Sequence, residues 1–312
     1  MQEKSSEYDR RVARFFAFAR TRHEIYLRKS GGQPWPWTDD PILGTYKFTN
    51  VFRELDATTI ALRKLTDQIR DREEVLTFIV QMRWLNRRES WQAMLDYAKG
   101  SVLDLAYMLN NPVCLVDLRE HLKRAIPTGP WVTGAYIIKT PNGMTKLDGV
   151  FEAMHQFATQ SRDYQKSPLS AYEMAQRLRS HPGQETLQDV WEWLCRFNFQ
   201  GQFTAYEAIS DIRHTALLDQ APDIMTWANA GPGAMRGLNR VHDRDLFYTR
   251  RSHPWHEEMR ALLKVSQDGK HWPEPTEAWP ALEMREIEHT LCEFDKYERT
   301  RLGEGRPRGT YP

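Results

Sequence analysis

Two glycine-containing turns between positions 197 and 241 have residue types and spacing suited to binding phosphate groups. In the first, Gly201 and Gln202 come directly before a helical pattern that begins at Phe203 and contains Thr204. Glycine lets a second backbone or a phosphate approach closely, and the first N–H groups of a helix have no partner inside it. An anion at such a helix start meets several donors and a favourable dipole. Gly201, Gln202 and Thr204 are therefore candidates for contacts with a nucleic-acid backbone.

The second turn places Gly231 and Gly233 ahead of Arg236 and Arg240. The same argument about helix starts applies, and guanidinium groups add fork-shaped, charge-assisted contacts with phosphate oxygens. Two anion-binding corners separated by an aspartate-containing connector together suggest an enzyme that acts on nucleic acid. Two ordinary turns between helices would also explain both glycine motifs, so the residues alone leave this alternative open.

Three further clusters of polar and aromatic residues could line a pocket. They are Arg22, His23, Tyr26 and Arg28 in a predicted helix; Trp37, Asn50 and Arg53 in and after a proline-rich loop; and Glu293 and Lys296 near the C-terminus. On a helix, Arg22 and Tyr26 lie one turn apart. Each cluster taken singly also has a structural explanation, such as a salt bridge three residues apart between Glu293 and Lys296.

Several familiar catalytic signatures are absent from the sequence. It has no GxxxxGK[ST] loop, no GxGxxG after a strand, no HExxH and no GxSxG. These absences argue against a nucleotide kinase, a dehydrogenase, a zinc peptidase and an α/β-hydrolase. The three cysteines have no CxxC spacing, so neither a zinc knuckle nor a disulfide framework is indicated.

Composition is that of a soluble globular protein, with 40% hydrophobic and 27% charged residues among 312. The net charge of +1 means that any surface for nucleic acid must be locally basic. Sparse cysteines, a polar start and no long apolar run predict a cytoplasmic protein without a membrane partner.

Hydrophobic periodicity predicts a mainly α fold with one small β-hairpin near 134–148. Helical patterns cover 7–29, 56–75, 76–88, 90–98, 101–109, 116–125, 149–162, 168–180, 184–197, 203–214, 255–266 and 281–299. Prolines and glycines predict an irregular loop over 31–43. We expect a single domain over 1–312, with lobes at about 1–130 plus the C-terminal helix and at about 150–250.

Taken together, the motifs resemble a known family. RHEIYLRKSGGQPWPWTDDPILGTYKFTNVFRELD, FQGQFTAYEAISDI with GPGAMRGLNR, and LCEFDKY are similar to the α-glutamyl/putrescinyl thymine pyrophosphorylases, or amino acid:DNA transferases. The related helical domain of 5-hydroxymethyluracil DNA kinases carries similar motifs. The resemblance spans roughly residues 12–300. It implies a fold related to helix-hairpin-helix DNA glycosylases and a role in bacteriophage DNA hypermodification.

The resemblance also implies a reaction. An amine (glycine, glutamate or putrescine, with glycine favoured) displaces pyrophosphate from 5-pyrophosphoryloxymethyluracil in double-stranded DNA. The target base must leave the duplex to be reached, and either direct displacement or a methide-type intermediate would serve. A separate 5-hydroxymethyluracil DNA kinase is the implied functional partner. No cluster of metal-binding residues is evident in the sequence. The one cofactor considered is Mg²⁺ bound to the pyrophosphate.

Roles for individual residues follow from the resemblance and from this chemistry. Asp223 is the preferred proton acceptor for the amine, Asp211 comes second, and Asp219 has nearly the same spacing as Asp223. Binding of pyrophosphate and substrate is assigned to Arg28, Arg53, Arg236, Arg240, Lys296, Arg22, His23, Asn50, Glu293 and Tyr26. Trp37, Tyr26 and Trp227 are expected to stack on the extruded base, with backbone contacts from the two glycine turns.

Two alternatives remain at this stage. The chain could be a non-catalytic DNA-binding module that delivers a separate kinase, or a glycosylase of the helix-hairpin-helix class. The second is disfavoured, because the hairpin glycines are reduced to FQGQ and no lysine follows the turn to form an imine.

Overall fold

The computed structural model describes residues 2–134, 140, 143–160, 169–250 and 252–311. Over these residues the chain forms fourteen α-helices: α1 Gln2–Ser30, α2 Pro41–Thr45, α3 Ala57–Thr66, α4 Val75–Leu85, α5 Arg88–Tyr97, α6 Val102–Leu109, α7 Pro112–Ala125, α8 Lys146–Gln160, α9 Ala171–Ser180, α10 Leu187–Leu194, α11 Gln202–Ile212, α12 Pro232–His242, α13 Trp255–Ser266 and α14 Met284–Arg301. Within the same ranges, extended backbone pairs only at an isolated antiparallel bridge between Tyr46 and Thr310. The predicted mainly helical fold is confirmed.

The chain forms two compact units. Unit 1 contains Met1–Asp56 and Ile224–Pro312, and unit 2 contains Ala57–Asp223. The sequence places the end of the first lobe near 130, whereas the structure places α3 to α7 in the same unit as α8 to α11. The reason is that α4 packs against α11, α9 and α8, so its partners lie late in the sequence. Periodicity within one helix does not reveal such partners.

In unit 1, α1 and α14 supply the apolar stripes of the core. On α1, Val12, Phe15 and Phe16 recur on one face and are at most 4% exposed, as expected for an amphipathic helix. Phe15 contacts Phe294 of α14 edge to face, with ring centroids 5.5 Å apart. The core therefore fixes which faces of these two helices point away from it, and with them the polar residues discussed below.

Close packing of α12 on α14 depends on two glycines. A Cβ added at Gly237 would lie 2.7 Å from the carbonyl carbon of Leu291, and one added at Gly233 would meet the side chain of Cys292. Contacts as short as the one at Gly237 are essentially never seen for real Cβ atoms. The glycines four residues apart thus let the two helices approach, which places the arginines of α12 beside the acidic residues of α14.

Unit 2 is built around α4, whose residues are buried along its whole length. The sequence VLTFIVQMRWL is apolar on nearly every face, which is typical of a helix enclosed by others. Its carboxyl end carries Arg83, which reaches Asp211 on α11. The buried helix therefore positions one of the aspartates that the sequence singles out.

Two proline-containing stretches start helices. Pro41 opens α2, and the Asp40 carboxylate accepts the N–H groups of Ile42 and Leu43, each at 2.9 Å. The loop predicted over 31–43 therefore ends at Asp40. Pro112 opens α7 in the same way, four residues before the predicted start, because proline at the first helical position needs no donor.

The predicted β-hairpin near 134–148 receives no support from the described residues. Its first strand, at 136–138, lies outside them. In its second strand, Lys146 and Leu147 are the first residues of α8, so this part of the prediction is wrong. Leu147 is fully buried as a helical residue.

None of the helices in the described ranges combines the length and the apolarity needed to cross a membrane.

Candidate functional site

Three buried ionisable groups meet an exposed threonine and a partly exposed lysine in unit 1, where α1, the segment after α2 and α14 come together. We call this cluster the polar centre and define it by Arg22, Thr49, His289, Glu293 and Lys296. Thr49 is hydrogen-bonded to Arg22, His289 and Glu293, and Lys296 joins the group through its ion pair with Glu293. The polar centre joins Arg22, from the first of the three predicted pocket clusters, to Glu293 and Lys296, from the third.

Arg22 is the most enclosed cation of the polar centre. Its side chain lies over the Phe18 ring, 5.0 Å from the ring centroid, and its Nε donates to the Thr49 carbonyl at 3.0 Å. Nη2 donates to the same carbonyl, whereas Nη1 is buried without a hydrogen-bond partner in the described part of the chain. Burial lowers the pKa of Arg22, and the charge of Glu293 opposes that shift. The guanidinium edge that carries Nη1 is thus left without hydrogen bonds.

His289 contributes a neutral imidazole. Its Nε2 and the Thr49 hydroxyl share a hydrogen bond of 2.8 Å. Burial, together with the positive charges of Arg53 and Arg22, holds the pKa of His289 well below its usual value. Near neutral pH the ring therefore carries no charge and serves as a hydrogen-bonding group among cations. The sequence analysis missed this residue, although it lies four residues before Glu293 on the same helix face.

Glu293 and Lys296 pair a buried carboxylate of the polar centre with a partly exposed lysine. The Glu293 side chain is 3% exposed and the Lys296 side chain 38% exposed, and the two are ion-paired. The Thr49 N–H also points to Glu293 at 3.4 Å. A buried carboxylate with a partly exposed lysine partner can exchange that partner for a ligand group. Lysine is suited to this exchange because its stem is flexible.

A second ionic group extends the polar centre along α14. Arg285 donates to Glu286 at 2.7 Å and to Glu54 at 2.8 Å. Burial raises the pKa of Glu286 to about 7, although the charge of Arg285 opposes the shift. Sequence reasoning found neither Arg285 nor Glu286, since adjacent opposite charges at a helix start are common on surfaces.

A small cavity adjoins the polar centre. It has a volume of about 20 Å³ and is lined by Arg22, Ile25, Leu43, Tyr46, Phe48, Thr49, Asn50 and Tyr311. A space of this size holds about one water molecule. Tyr311 belongs to the segment that pairs with Thr45 and Lys47, so the end of the chain forms one wall.

The other residues of the first two predicted clusters also lie in unit 1, mostly in structural contacts. His23 Nε2 lies 2.6 Å from the Ala278 carbonyl oxygen, and the Tyr26 ring stacks on the His23 ring. Arg28 donates to the Trp37 carbonyl, and the Trp37 indole N–H donates to the Gln33 carbonyl at 2.7 Å. The Asn50 side chain donates to the Leu55 carbonyl at 2.9 Å. Arg53 lies close enough to influence His289, and Trp227 is 7% exposed. Their predicted ligand contacts stay predictions.

The arginines behind the second glycine turn face an acidic partner. Arg236 and Arg240 donate to the two oxygens of Asp295 at 2.8 and 2.9 Å. Arg240 also donates to Glu304, and its side chain is only 5% exposed, compared with 36% for Arg236. A phosphate would have to compete with the fully buried Asp295 carboxylate. Of the two predicted phosphate ligands, Arg236 is the more accessible.

The helix start at the second turn also has an acidic neighbour. The Gly231 N–H points to a Glu288 carboxylate oxygen at 3.4 Å, and Gly233 packs against Cys292 of α14. The carboxylate occupies the position that the sequence analysis offers to a phosphate. Phosphate binding at Gly231 and Gly233 stays a prediction, and in this structure the turn serves helix packing.

The first turn, in unit 2, is open to solvent. Gly201 is the N-cap residue of α11, and Gly201, Gln202 and Phe203 are exposed. The Thr204 hydroxyl donates to the Gly201 carbonyl at 3.0 Å, and the Gln202 carbonyl accepts from Trp191 at 3.0 Å. Its exposure leaves the start of α11 accessible to a nucleic-acid backbone.

The two preferred catalytic aspartates, both in unit 2, have structural partners. The Asp223 carboxylate accepts the N–H groups of Leu187 at 2.7 Å and Gln188 at 3.0 Å, and so caps α10. Burial raises the pKa of Asp223, and these two hydrogen bonds oppose the shift. Asp211 is 6% exposed and paired with Arg83 at 2.7 Å.

Asp211 also borders a cavity that is larger than the one beside the polar centre. That cavity, in unit 2, has a volume of about 250 Å³ and is lined by Leu62, Arg63, Thr66, Asp67, Arg70, Asp71, Ile79, Asp211, His214, Thr215 and Ala216. Its lining carries three aspartates together with two arginines and a histidine. The catalytic roles predicted for Asp211, Asp219 and Asp223 stay predictions.

Known proteins provide an independent comparison. Residues 9–306 match the model of a family described as 5-hmdU DNA kinase, helical domain. The chain is 25% identical over 298 residues to the 5-hmdU DNA kinase of Bacillus phage SP10, with 87% of this chain and 42% of that protein covered. The chain thus spans less than half of the length of this relative. No solved structure is similar enough to this chain to count as a match.

Proposed function

This chain belongs to the family of 5-hmdU DNA kinase helical domains, and from this premise we propose that it acts in phage-type hypermodification of thymine in DNA. The proposed reaction transfers an amine onto 5-pyrophosphoryloxymethyluracil in duplex DNA with release of pyrophosphate, and glycine is the favoured amine. The observation that carries the proposal is the polar centre, which combines cations, a neutral imidazole and a buried carboxylate in a protein of this family.

Cations are the first requirement of this chemistry. The bond between the base CH₂ group and the pyrophosphate oxygen breaks, and the leaving group departs with the electron pair. We assign its stabilisation to Lys296 and Arg53, since Lys296 is partly exposed and Arg53 lies close enough to influence His289. Preorganised positive charge at a developing anion is commonly the largest single catalytic contribution.

A proton acceptor is the second requirement, because only a neutral amine can attack the CH₂ carbon. The ammonium group of the incoming amine gives up one proton as the carbon–nitrogen bond forms. We assign this proton to Glu293, which Lys296 exposes when it turns to the pyrophosphate. Asp223 and Asp211 are less available, since the first caps a helix and the second is paired with a buried arginine.

DNA contacts complete the proposal. We assign binding of the DNA phosphate backbone to the exposed start of α11 at Gly201, in the manner of a helix-hairpin-helix turn. The target nucleotide leaves the duplex, and Trp37 supplies an aromatic face that is partly open to solvent. Mg²⁺ would accompany the pyrophosphate, and a 5-hydroxymethyluracil DNA kinase is the proposed source of the activated base.

A test is to incubate the protein with pyrophosphorylated hydroxymethyluracil DNA and glycine, glutamate or putrescine, then to digest the DNA to nucleosides for mass spectrometry. A nucleoside heavier by the amine supports the proposal, and unchanged substrate with all three amines rejects it. Lys264→Ala is a suitable control variant, since Lys264 is an exposed lysine on α13 of the same unit.

The comparisons favour one competing function. The family is described as the helical domain of a kinase, and the phage relative is more than twice as long as the stretch covered. A non-catalytic module that brings a kinase to its DNA substrate would have the same relationships. Tight binding to hydroxymethyluracil DNA without any amine transfer, together with faster phosphorylation by an added kinase, would support this module instead.

A further inference from the structure

Phe247 is the large apolar side chain that deviates most from ordinary burial. It lies in the segment between α12 and α13 of unit 1, and it is 86% exposed, the highest value among the large apolar residues of the described ranges. Leaving a phenylalanine side chain in water forgoes about 1.5–3 kcal/mol of burial free energy. Single exposed apolar residues are common, so exposure alone assigns no role, and the surroundings of Phe247 decide the matter.

The backbone on both sides of Phe247 is held by one buried side chain. Asn239, which is fully buried at the end of α12, donates to the Tyr248 carbonyl at 2.9 Å and to the Leu246 carbonyl at 3.4 Å. The Phe247 N–H donates to the Asp245 carboxylate at 2.8 Å. Hydrogen bonds from neighbouring groups therefore fix the loop where it carries Phe247. The Phe247 ring therefore projects into solvent from a loop whose backbone is held by hydrogen bonds.

A second set of contacts anchors the base of this loop. Arg244 donates to the Glu258 carboxylate at 2.5 and 2.7 Å through its two terminal nitrogens and to the Asn239 side chain at 3.0 Å. Its guanidinium also lies over the Tyr248 and Trp255 rings, 5.8 and 5.4 Å from their centroids. The residues that flank Phe247 are thus held against α13, and this anchoring would resist displacement of an inserted ring.

The size of the contact, and not charge, indicates the partner of Phe247, because exposed residues near it in the sequence carry charges of both signs. Asp245, whose carboxylate accepts the Phe247 N–H, is exposed, and so is Arg250 three residues further on. A protein interface buries about 800 Å² per partner, whereas one phenylalanine side chain buries about 150–250 Å². A lone projecting ring fits insertion between two base pairs better than it fits a protein surface. Apolar wedges of this kind unstack a base step and kink the duplex.

We propose that Phe247 inserts into the base stack of duplex DNA beside the target nucleotide and holds the gap open while that nucleotide is extruded. The proposal depends on the proposed function only for the identity of the partner as DNA. It requires no amine transfer. Arg250 would contact the phosphate backbone next to the insertion point.

The test uses the whole protein and a duplex with 2-aminopurine next to a single 5-hydroxymethyluracil, without any amine. Binding of the wild type should raise 2-aminopurine fluorescence severalfold, because the probe brightens when it is unstacked. Phe247→Ala should abolish this rise and weaken binding about tenfold, within the range for loss of one stacking contact. Phe247→Trp should retain unstacking. Arg250→Ala should weaken binding and lower the slope of log K against log salt by about 1.

Tyr107→Ala is the matched control, since Tyr107 is another exposed aromatic residue, 64% accessible, in unit 2. It should leave fluorescence and affinity unchanged. The inference is overturned if Phe247→Ala unstacks the probe as well as the wild type, or if the wild type binds the duplex without unstacking it. A positive fluorescence result in a protein that transfers no amine would reject the proposed reaction and retain the wedge.

Discussion

The Thr49 hydroxyl and His289 Nε2 lie 2.8 Å apart, and this hydrogen bond joins the segment after α2 to α14. Thr49 also accepts from Arg22 through its carbonyl and points its N–H to Glu293. One threonine thus connects a cation, an imidazole and a carboxylate. The predictions below test this arrangement and the account of function built on it.

Thr49→Val should destabilise the protein by about 0.5–1.5 kcal/mol, because the hydrogen bond between the Thr49 hydroxyl and His289 is lost. Urea unfolding followed by circular dichroism measures the change. Thr249→Val is the control at an exposed threonine outside the polar centre, with an expected change below about 0.3 kcal/mol. Equal stability of the Thr49 variant and the wild type would show that the hydrogen bond contributes nothing.

Gly237→Ala should destabilise unit 1 by about 1–3 kcal/mol or more, because the added methyl group collides with the Leu291 backbone. Gly305→Ala should be near neutral, since no atom lies within 4 Å of the position of its Cβ. Thermal unfolding of both variants checks this prediction. A Gly237 variant as stable as the Gly305 variant would contradict the packing of α12 on α14.

The stability that His289 contributes should fall as pH drops below about 6.5. The pKa of His289 in the folded protein lies well below its ordinary value of 6.5, so between these two values the unfolded chain binds the extra proton. Stability from this residue is therefore complete above pH 6.5 and is lost below it, by up to about 1.4 kcal/mol per pH unit. Urea unfolding at pH 7.5 and 5.5 should show a smaller loss for His289→Gln. The exposed-residue control His181→Gln should behave as the wild type, and an unchanged loss in His289→Gln would refute the assignment.

Lys296→Ala should slow amine transfer about 100- to 1,000-fold, the usual effect of removing one group that stabilises developing negative charge. Lys296→Arg should restore part of the rate, and Lys264→Ala should have no effect. Single-turnover kinetics with the pyrophosphorylated duplex provide the measurement. Transfer at the wild-type rate in Lys296→Ala would remove the polar centre from the mechanism.

Asp223 variants separate capping from catalysis. Asp223→Ala should cost about 1–3 kcal/mol of stability, because the N–H groups of Leu187 and Gln188 in the first turn of α10 lose their acceptor. Asp223→Asn retains an oxygen that can accept from Leu187 and Gln188, so it should keep most of the stability and transfer amine within a few-fold of the wild-type rate. Loss of transfer in a stable Asp223→Asn variant would instead make Asp223 the proton acceptor.

The sequence predicts the helical fold well and the contacts between distant residues poorly. Apolar periodicity gave both bounds of α13 and the end of α1 to within one residue, because a buried stripe repeats within one helix, whereas α1 begins five residues before the predicted start. The same signal cannot show that Asp295 lies between Arg236 and Arg240, or that Glu288 faces the start of α12. Those pairings join residues more than fifty positions apart, and only the packing of α12 on α14 creates them.

The central claim is that an amine replaces pyrophosphate on the modified base. The most direct measurement follows pyrophosphate release and nucleoside mass in the same reaction, with and without glycine. Our account predicts one pyrophosphate per glycine-modified nucleoside and a much lower yield of both when Lys296 is replaced by alanine. DNA that is bound but keeps its pyrophosphate in the presence of glycine, glutamate or putrescine would contradict it.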